Sequence, residues 1–402
     1  MLQVFQNAIP VIETIERAGF EAYFVGGSIR DYILDRPIHD IDIATSATPQ
    51  EVKSLFRHTI DIGIEHGTVL VIYNGNQYEI TTFRTESSYK DFRRPDHVEY
   101  VRSLELDLQR RDFTMNAIAM DKKGKFIDPF AGYEDISQKV IVTVGNANER
   151  FREDALRMMR AIRFVSQLVF TLNEETKQAI YQDAHLLQHI SVERITLEFT
   201  KLLNGSNKYQ ALALLSETGL ITYMPGIKGK EKQFQTNVIQ AVNDLTENQV
   251  WLYLLAVLNI DDPGSFLKEW RLPSKKVKYL TRNYECLMLR KTQPWNKIML
   301  YDAGKETAID VEKVFRTLKG QSIERVEQEV SIDYQQLAIT SREQINVTGK
   351  DLMEWFEVKG GPWIKETLRT IEVAILHKEV GPNKQEIKEW LQRCNLQQGK
   401  KY

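Results

Sequence analysis

Two periodicities divide the chain. Up to about residue 130, apolar residues alternate with polar ones or gather in short runs, as strands require. Residues 69–73 and 77–83 are such runs, and they flank Asn74-Gly75, a dipeptide suited to a tight hairpin turn. Residues 23–25, 40–44 and 117–120 are further strand candidates. Between them Thr48-Pro49-Gln50-Glu51 predicts a helix start, with a capping box and proline at the first helical position. Beyond Asn146 the spacing turns helical almost throughout. Phe151, Ala155, Met158, Ile162 and Val165 recur at steps of four and three, which predicts one amphipathic helix over 149–168. Strands followed by helices predict an α+β N-terminal head and an all-α remainder. The polar segment 84–108 reads as a long connection, either an ordinary loop or a functional lid.

Composition narrows the class. At 402 residues the chain exceeds one ordinary core. A formal net charge of −2 confines any nucleic-acid surface to a local patch. Cys286 and Cys394 are far apart and form no CxxC, so neither a disulfide framework nor a zinc site follows. Glu13 and Glu16 fall within the first turns, unlike a secretory signal. The longest apolar run, 250–258, is too short to cross a bilayer. A soluble, cytoplasmic protein is expected.

Candidate chemistry sits in three places. Gly26-Gly27-Ser28-Ile29-Arg30-Asp31 follows the first strand candidate. Two glycines let backbone N–H groups approach a polyanion, and Arg30 adds a charge suited to phosphate. Asp40 and Asp42 alternate with Ile38, Ile41 and Ile43, which puts both carboxylates on one face of a strand. Oxygen ligands beside a phosphate cradle point to Mg²⁺ and to metal-assisted phosphoryl chemistry on a nucleotide. Arg110-Arg111-Asp112-Phe113-Thr114-Met115-Asn116-Ala117 supplies either phosphate and ribose contacts or a structural ion pair. In the predicted helix, Asp154, Arg157, Arg160 and Arg163 fan across the side opposite the apolar stripe, with Glu153 among them. Such a row is either a solvated face or a reader of phosphates and base edges. Every cation from Arg150 to Arg163 is arginine, the residue of planar, bidentate recognition. Ser191-Val192-Glu193-Arg194 starts a further helix, with Ser191 as its expected N-cap and a supporting role.

These segments, in this order, resemble the bacterial class II tRNA nucleotidyltransferases, the CCA-adding enzymes. Val347-Thr348-Gly349-Lys350-Asp351-Leu352 and Gly361-Pro362-Trp363 resemble the form found in low-GC Gram-positive bacteria. The resemblance implies a head of the DNA polymerase β nucleotidyltransferase type over 1–138, a helical neck over 139–205, a body over 206–270 and a tRNA-binding tail over 271–402. It implies template-independent building of the tRNA 3′-terminal C-C-A from CTP and ATP with release of pyrophosphate. By position, Asp40 and Asp42 would hold the metal. Gly27, Arg30 and Arg111 would bind the nucleotide, Asp112 the ribose, and Asp154 and Arg157 the base. Arg160 and Arg163 would complete the site, with Glu79 a further carboxylate nearby. The partners implied are tRNA, CTP and ATP, with no DNA and no membrane, and with the oligomeric state open between monomer and homodimer.

Alternatives of the same superfamily are a poly(A) polymerase and a partial CC- or A-adding enzyme. Poly(A) polymerases usually continue with a Leu-Tyr-Tyr-like run where this chain has Ala117-Ile118-Ala119 after Asn116. A non-catalytic RNA-binding relative is a third reading, opposed by the intact Asp40, Asp42 and Arg157.

Overall fold

The computed structural model describes residues 2–38, 40–63, 67–90 and 94–394. The backbone divides into two compact units: 1–244 with 266–272, and 245–265 with 273–402.

The first unit opens with helix α1 (Gln3–Arg17), whose Phe5, Ala8, Val11, Ile12 and Ile15 are buried. They cover a seven-stranded sheet in the order β3-β4-β5-β2-β1-β8-β9. Its strands are β1 (Ala22–Val25), β2 (Asp42–Thr45), β3 (Thr59–Gly63), β4 (Thr68–Tyr73), β5 (Asn76–Thr82), β8 (Ala119–Met120) and β9 (Phe126–Ile127). Only the β2–β5 pair is parallel. Phe5 meets Phe24 edge to face at 4.9 Å, joining helix and sheet. Each such fully buried side chain contributes roughly 1.5–3 kcal/mol. The expected hairpin forms at Asn74-Gly75, with Asn74 at φ 49°. Helix α2 (Gly27–Ile33) follows β1. Helix α3 (Pro49–Leu55) starts at Thr48 with the predicted capping box.

Several expectations change. The strand at 40–44 begins only at Asp42, so Asp40 lies just outside it. The segment 84–108 is no irregular loop. It contains a hairpin of β6 (Arg84–Lys90) and β7 (Arg94–Tyr100), then helix α4 (Leu104–Gln109). The tip of that segment, residues 91–93 with Phe92, lies outside the described residues. The helix at 149–168 is two helices, because the backbone breaks at Asp154.

Helix α5 (Gly132–Gln138) leads from the sheet to the helical part. Strands β10 (Val140–Ile141) and β11 (Thr171–Leu172) pair in parallel and bracket α6 (Ala147–Glu153) and α7 (Leu156–Leu168). Then come α8 (Glu174–Asp183), α9 (Val192–Leu203), α10 (Lys208–Glu217) and α11 (Glu231–Asn237). Ser191 precedes α9, but its hydroxyl makes no capping hydrogen bond.

The second unit is helical among its described residues. Helix α12 (Glu247–Val257) is buried nearly all round, so the long apolar run is a core helix. No described helix is long and apolar enough to cross a membrane. The chain continues through α13 (Pro263–Glu269), α14 (Ser274–Thr292), α15 (Lys297–Ala303), α16 (Lys305–Leu318), α17 (Val326–Gln335), α18 (Gly349–Phe356), α19 (Trp363–Leu376) and α20 (Lys384–Arg393). Thr348 caps α18 through Asp351, within the motif noted in the sequence.

Gly205 fixes the packing of α7 against the end of α9. A Cβ there would stand 2.1 Å from Ser166 Oγ and 2.6 Å from the Ser166 carbonyl carbon and oxygen. Ser166 Oγ itself donates to the Leu202 carbonyl at 2.6 Å. The obstruction is largely backbone and cannot rotate away. Gly205→Ala should therefore destabilise the protein by at least the roughly 1–3 kcal/mol typical of overpacking. Urea unfolding followed by circular dichroism measures this, with Gly229→Ala, where a Cβ meets nothing within 4 Å but φ is +84°, as the strain-only control.

Candidate functional site

Strand β1 ends at Val25, in register with Asp42. The chain then turns through Gly26 at φ +72°. A Cβ on Gly26 would lie 3.3 Å from Arg111 Nη1 and 3.4 Å from Asp42 Oδ2, so glycine serves both conformation and space. Ser28 Oγ donates to the Val25 carbonyl at 2.9 Å and fastens the turn. One turn later Arg30 donates to Asn116 Oδ1 at 2.8 Å.

Asp42 opens β2 in register with Glu79 of β5. Burial, then the Glu79 carboxylate, push the Asp42 carboxyl above its ordinary range; Arg111 opposes them and Asp40 adds to them. Asp40 stands just before the strand and is exposed. Among the described residues, no three His, Cys, Asp or Glu side chains form a closed metal cage. Mutually repelling carboxylates with open positions fit a hard divalent cation whose remaining ligands are phosphate oxygens and water.

Asp112 follows α4 and is buried. Its Oδ2 accepts from Arg160 Nε at 2.8 Å and Nη2 at 2.6 Å. Its Oδ1 accepts from the Phe113 N–H at 2.9 Å and from Asn116 Nδ2 at 3.0 Å. Burial alone would raise this carboxyl, but Arg160 and Asn116 outweigh it and hold it well below the ordinary range. Asp107 is likewise buried and accepts from Arg110 and Arg111, 2.8 and 3.0 Å away. Arg111 is thereby aimed at Gly26 and Asp42.

Asp154 ends α6 at φ −138° and ψ 104°. Its Oδ1 accepts from the Leu156 N–H at 3.1 Å, which starts α7. Asp154 and Arg157 therefore lie on either side of a break and not along one helix. Arg157 Nη1 donates to Glu153 Oε2 at 2.5 Å, and Nη2 to the Arg110 carbonyl at 3.1 Å. Arg163 is buried, 3.2 Å from Glu198, and its guanidinium lies over the Phe164 ring at 4.0 Å. Burial pulls it down to about 10, so it stays charged near neutrality. The arginine row is no solvated face, since Arg157 and Arg163 are 8% and 7% exposed.

These elements line an open cavity of about 610 Å³. Gly27, Arg30, Asp42, Arg111, Asp112, Asp154, Arg157, Arg160 and Arg163 all line it. Of the site residues expected from sequence, Asp40 stands outside this lining at the strand's entrance. Arg110 and Asn116, from the Arg110–Ala117 motif, line it too, as do Arg84, Phe164, Gln167 and Arg194, for which the sequence offered no such role. Eight arginines face three aspartates across this space, an environment for a polyanion that also offers acceptors.

The comparisons agree along the chain. A Poly A polymerase head domain model matches residues 22–142, a probable RNA and SrmB-binding site of polymerase A matches 169–230, and a tRNA nucleotidyltransferase domain 2 model matches 244–391. The chain is 50% identical over 401 residues to a CCA-adding enzyme of Geobacillus sp. (strain WCH70), with 99% of each covered. It is 48% identical over 400 residues to a CCA-adding enzyme of Bacillus cereus (strain B4264), covering 98% of this chain and 100% of the relative. The fold superposes on a crystal structure of Bacillus stearothermophilus CCA-adding enzyme in complex with CTP at TM-score 0.87, with 43% identity and 100% of both chains covered.

Because the Asp42 carboxyl is raised, its ionised form costs the fold free energy at neutral pH, and this cost disappears as pH falls through the raised value. Asp42→Asn should melt higher than the wild type in chelator at pH 7, by about 2 °C. Added divalent cation should stabilise the wild type and leave the variant nearly unmoved. Thermal melts with and without cation check this; a variant with the full cation response would place the metal elsewhere.

Proposed function

Since the chain belongs to the CCA-adding enzymes, we propose that it builds and repairs the 3′-terminal C-C-A of tRNA through this cavity, with Mg²⁺ at Asp40 and Asp42. The observation that carries the reading is that Asp154 and Arg157 open on the same cavity as Asp42. A base-reading pair thus shares one space with a phosphoryl-transfer carboxylate.

The tRNA 3′-oxygen attacks the α-phosphorus of the nucleotide in line. The new O–P bond forms as the bond to the β-phosphate bridging oxygen breaks, and pyrophosphate leaves with that electron pair. A bound Mg²⁺ would lower the barrier to deprotonating the attacking hydroxyl and stabilise charge on the phosphates. Arg30 and Arg111, with the backbone at Gly27, bind the phosphates beside Asp42. Asp112, with both oxygens already taken by Arg160, Asn116 and the Phe113 N–H, helps hold the ribose by fixing Arg160 and Asn116 in the wall it meets. Arg160 and Arg163 complete the positive wall.

Base choice follows from hydrogen-bond complementarity. C and A both present an exocyclic amino donor beside a ring-nitrogen acceptor. U and G present a carbonyl beside a ring N–H. The Asp154 carboxylate accepts from the amino group, and an Arg157 N–H donates to the ring nitrogen. Glu153 holds Arg157 in place for this. A mismatched base leaves buried polar groups unpaired, which a hydrogen-bonding site rejects strongly.

The family supports tRNA and nucleotide partners. We assign the second unit and α8–α11 to gripping the tRNA, along the neck, body and tail division 139–205, 206–270 and 271–402. A cytoplasmic location fits this substrate, and the homodimer stays a proposal for solution measurement. The poly(A) polymerase reading is disfavoured, because the full-length relatives are CCA-adding enzymes and the shared part is the head.

The test is incorporation on tRNA lacking its 3′ end, with each of the four nucleotides. The wild type should add C, C and A only. Asp42→Ala should abolish C and A addition alike while tRNA affinity holds. Asp154→Ala and Arg157→Ala should lower kcat/KM for CTP and ATP and erode rejection of UTP and GTP, which reaches ~10⁴-fold in sites of this kind. Unchanged selectivity at reduced rate would move base reading to other residues.

A further inference from the structure

Among the described residues that line the cavity, Phe164 alone is aromatic. It is buried, and the Phe113 ring meets it at 5.8 Å and 87°, which fixes its orientation. Three guanidiniums gather on it. Arg163 lies 4.0 Å from its centroid, Arg30 5.1 Å and Arg160 5.8 Å. All three fall inside the roughly 6 Å over which a ring face attracts a cation. Arg160 and Arg163 come from α7, and Arg30 comes from α2.

Packing alone gives no reason for an aromatic side chain here. A leucine would exclude water from the same place but has no negative face. Nor do the carboxylates gather these cations, because each pulls from a different element. Asp31 holds Arg30 from α2, Asp112 holds Arg160 from the segment after α4, and Glu198 holds Arg163 from α9. The Phe164 ring is what the three cations share. Their crowding is felt at Arg163, which burial, then Arg160 and Arg30, pull down to about 10 against Glu198 and Asp112. Like charges this close spread apart unless something attracts them together.

We propose that Phe164 is a positioning residue for the nucleotide: its ring face gathers Arg30, Arg160 and Arg163, so that the triphosphate meets a wall already formed. The inference deepens the reading of this wall as the nucleotide site and rests on it. A wall that is gathered beforehand spares binding the cost of collecting three cations. Phe164 acts through the arginines and not on the base, so its loss should weaken CTP and ATP alike and leave selection intact.

The experiment titrates full-length protein with CTP and with ATP by calorimetry. Phe164 is replaced by phenylalanine carrying one, two or three ring fluorines. Fluorines nearly keep the shape and add apolar character while draining the ring face of negative charge, so a role in packing alone would not be weakened by them. The Kd for both nucleotides should rise with each fluorine, reaching about 5-fold with three, and Phe164→Leu should reach about 10-fold. The same fluorines at Phe234, buried on α11 and outside the cavity lining, should change nothing. The titration's stoichiometry counts folded protein, so partial unfolding does not enter Kd. With tRNA lacking its 3′ end, the CTP-over-UTP and ATP-over-GTP ratios of kcat/KM should stay at the wild-type value. A Kd that ignores the fluorines, or that tightens because the ring competes with phosphate for the cations, overturns the proposal. Changed ratios would assign the ring to base reading and overturn it too. Arg30→Ala separates the two levels. If it weakens nucleotide binding while the fluorines do not, this proposal falls and the site reading stands. If it leaves binding unchanged, the site reading falls and this proposal with it.

Discussion

The buried carboxylate of Asp112 is the point through which the segment leading into β8 is held to α7. It is ionised, fully paired, and shared between two supports: Arg160 on α7, and Asn116 on the turn before β8. Asn116 in turn accepts from Arg30 on α2. One hydrogen-bonded chain thus runs from α7 through Asp112 and Asn116 to the Gly-Gly turn. Removing a single partner would leave a buried charge uncompensated, which is far more costly than the pair is stabilising. The α2 side and the α7 side of the cavity are therefore not independent surfaces.

Crowding many like charges into one cavity needs compensation that surface salt bridges do not provide. Three means are visible. The buried carboxylates of Asp107 and Asp112 neutralise Arg110, Arg111 and Arg160. Glu198 stands behind Arg163 from α9. The Phe164 ring gives a third, with Arg163, Arg30 and Arg160 at 4.0, 5.1 and 5.8 Å from its centroid. An aromatic face can attract several cations that would otherwise repel. This is also why the chain can stay near-neutral in total while keeping a strongly positive pocket. The same compensation leaves one carboxylate of the opposite character: Asp42, with acidic neighbours and a raised carboxyl, is the proposed cation ligand.

Local signals were readable where one residue decides local geometry. Asn74-Gly75 and the Thr48 capping box specify their turn and helix start without help from the rest of the chain. The break at Asp154 was hidden because the apolar stripe runs through it undisturbed: Phe151, Ala155, Met158, Ile162 and Val165 are all buried on both sides of the break. Spacing alone cannot tell a continuous helix from two that share a core. Asp is a favoured N-cap, and that was the one signal available. Strand β3 carries the alternation of a strand at Ile60 and Ile62 but is only five residues long and lies at the edge of the sheet, where those two side chains are about half exposed. The hairpin β6–β7 escaped because its sequence is largely polar and shows no apolar alternation. Gly26, Gly27, Arg30, Asp42, Arg110, Arg111, Asp112, Asn116, Asp154, Arg157, Arg160 and Arg163 were legible as motifs, and Arg84 was not. Arg194 was not, because its partner lies forty positions away and only the packing of α7 on α9 brings the two together.

That packing carries a consequence for how a protein can stand in for a template. A nucleic-acid template holds donor and acceptor on one rigid ring. Here the proposed donor and acceptor stand on different supports. Arg157 is fastened to the Arg110 carbonyl, on the sheet side of the cavity, and to Glu153. Asp154 is fastened to α9 through Arg194. Their spacing is set by how α6, α7 and α9 meet the sheet, and not by the geometry of any one residue. The Asp112–Arg160 pair fixes that meeting from within, and Gly205 lets α7 and the end of α9 approach closely enough to complete it. Selectivity in such a site is a property of helix packing, and small residues far from the base belong to its specification as much as the residues that touch it.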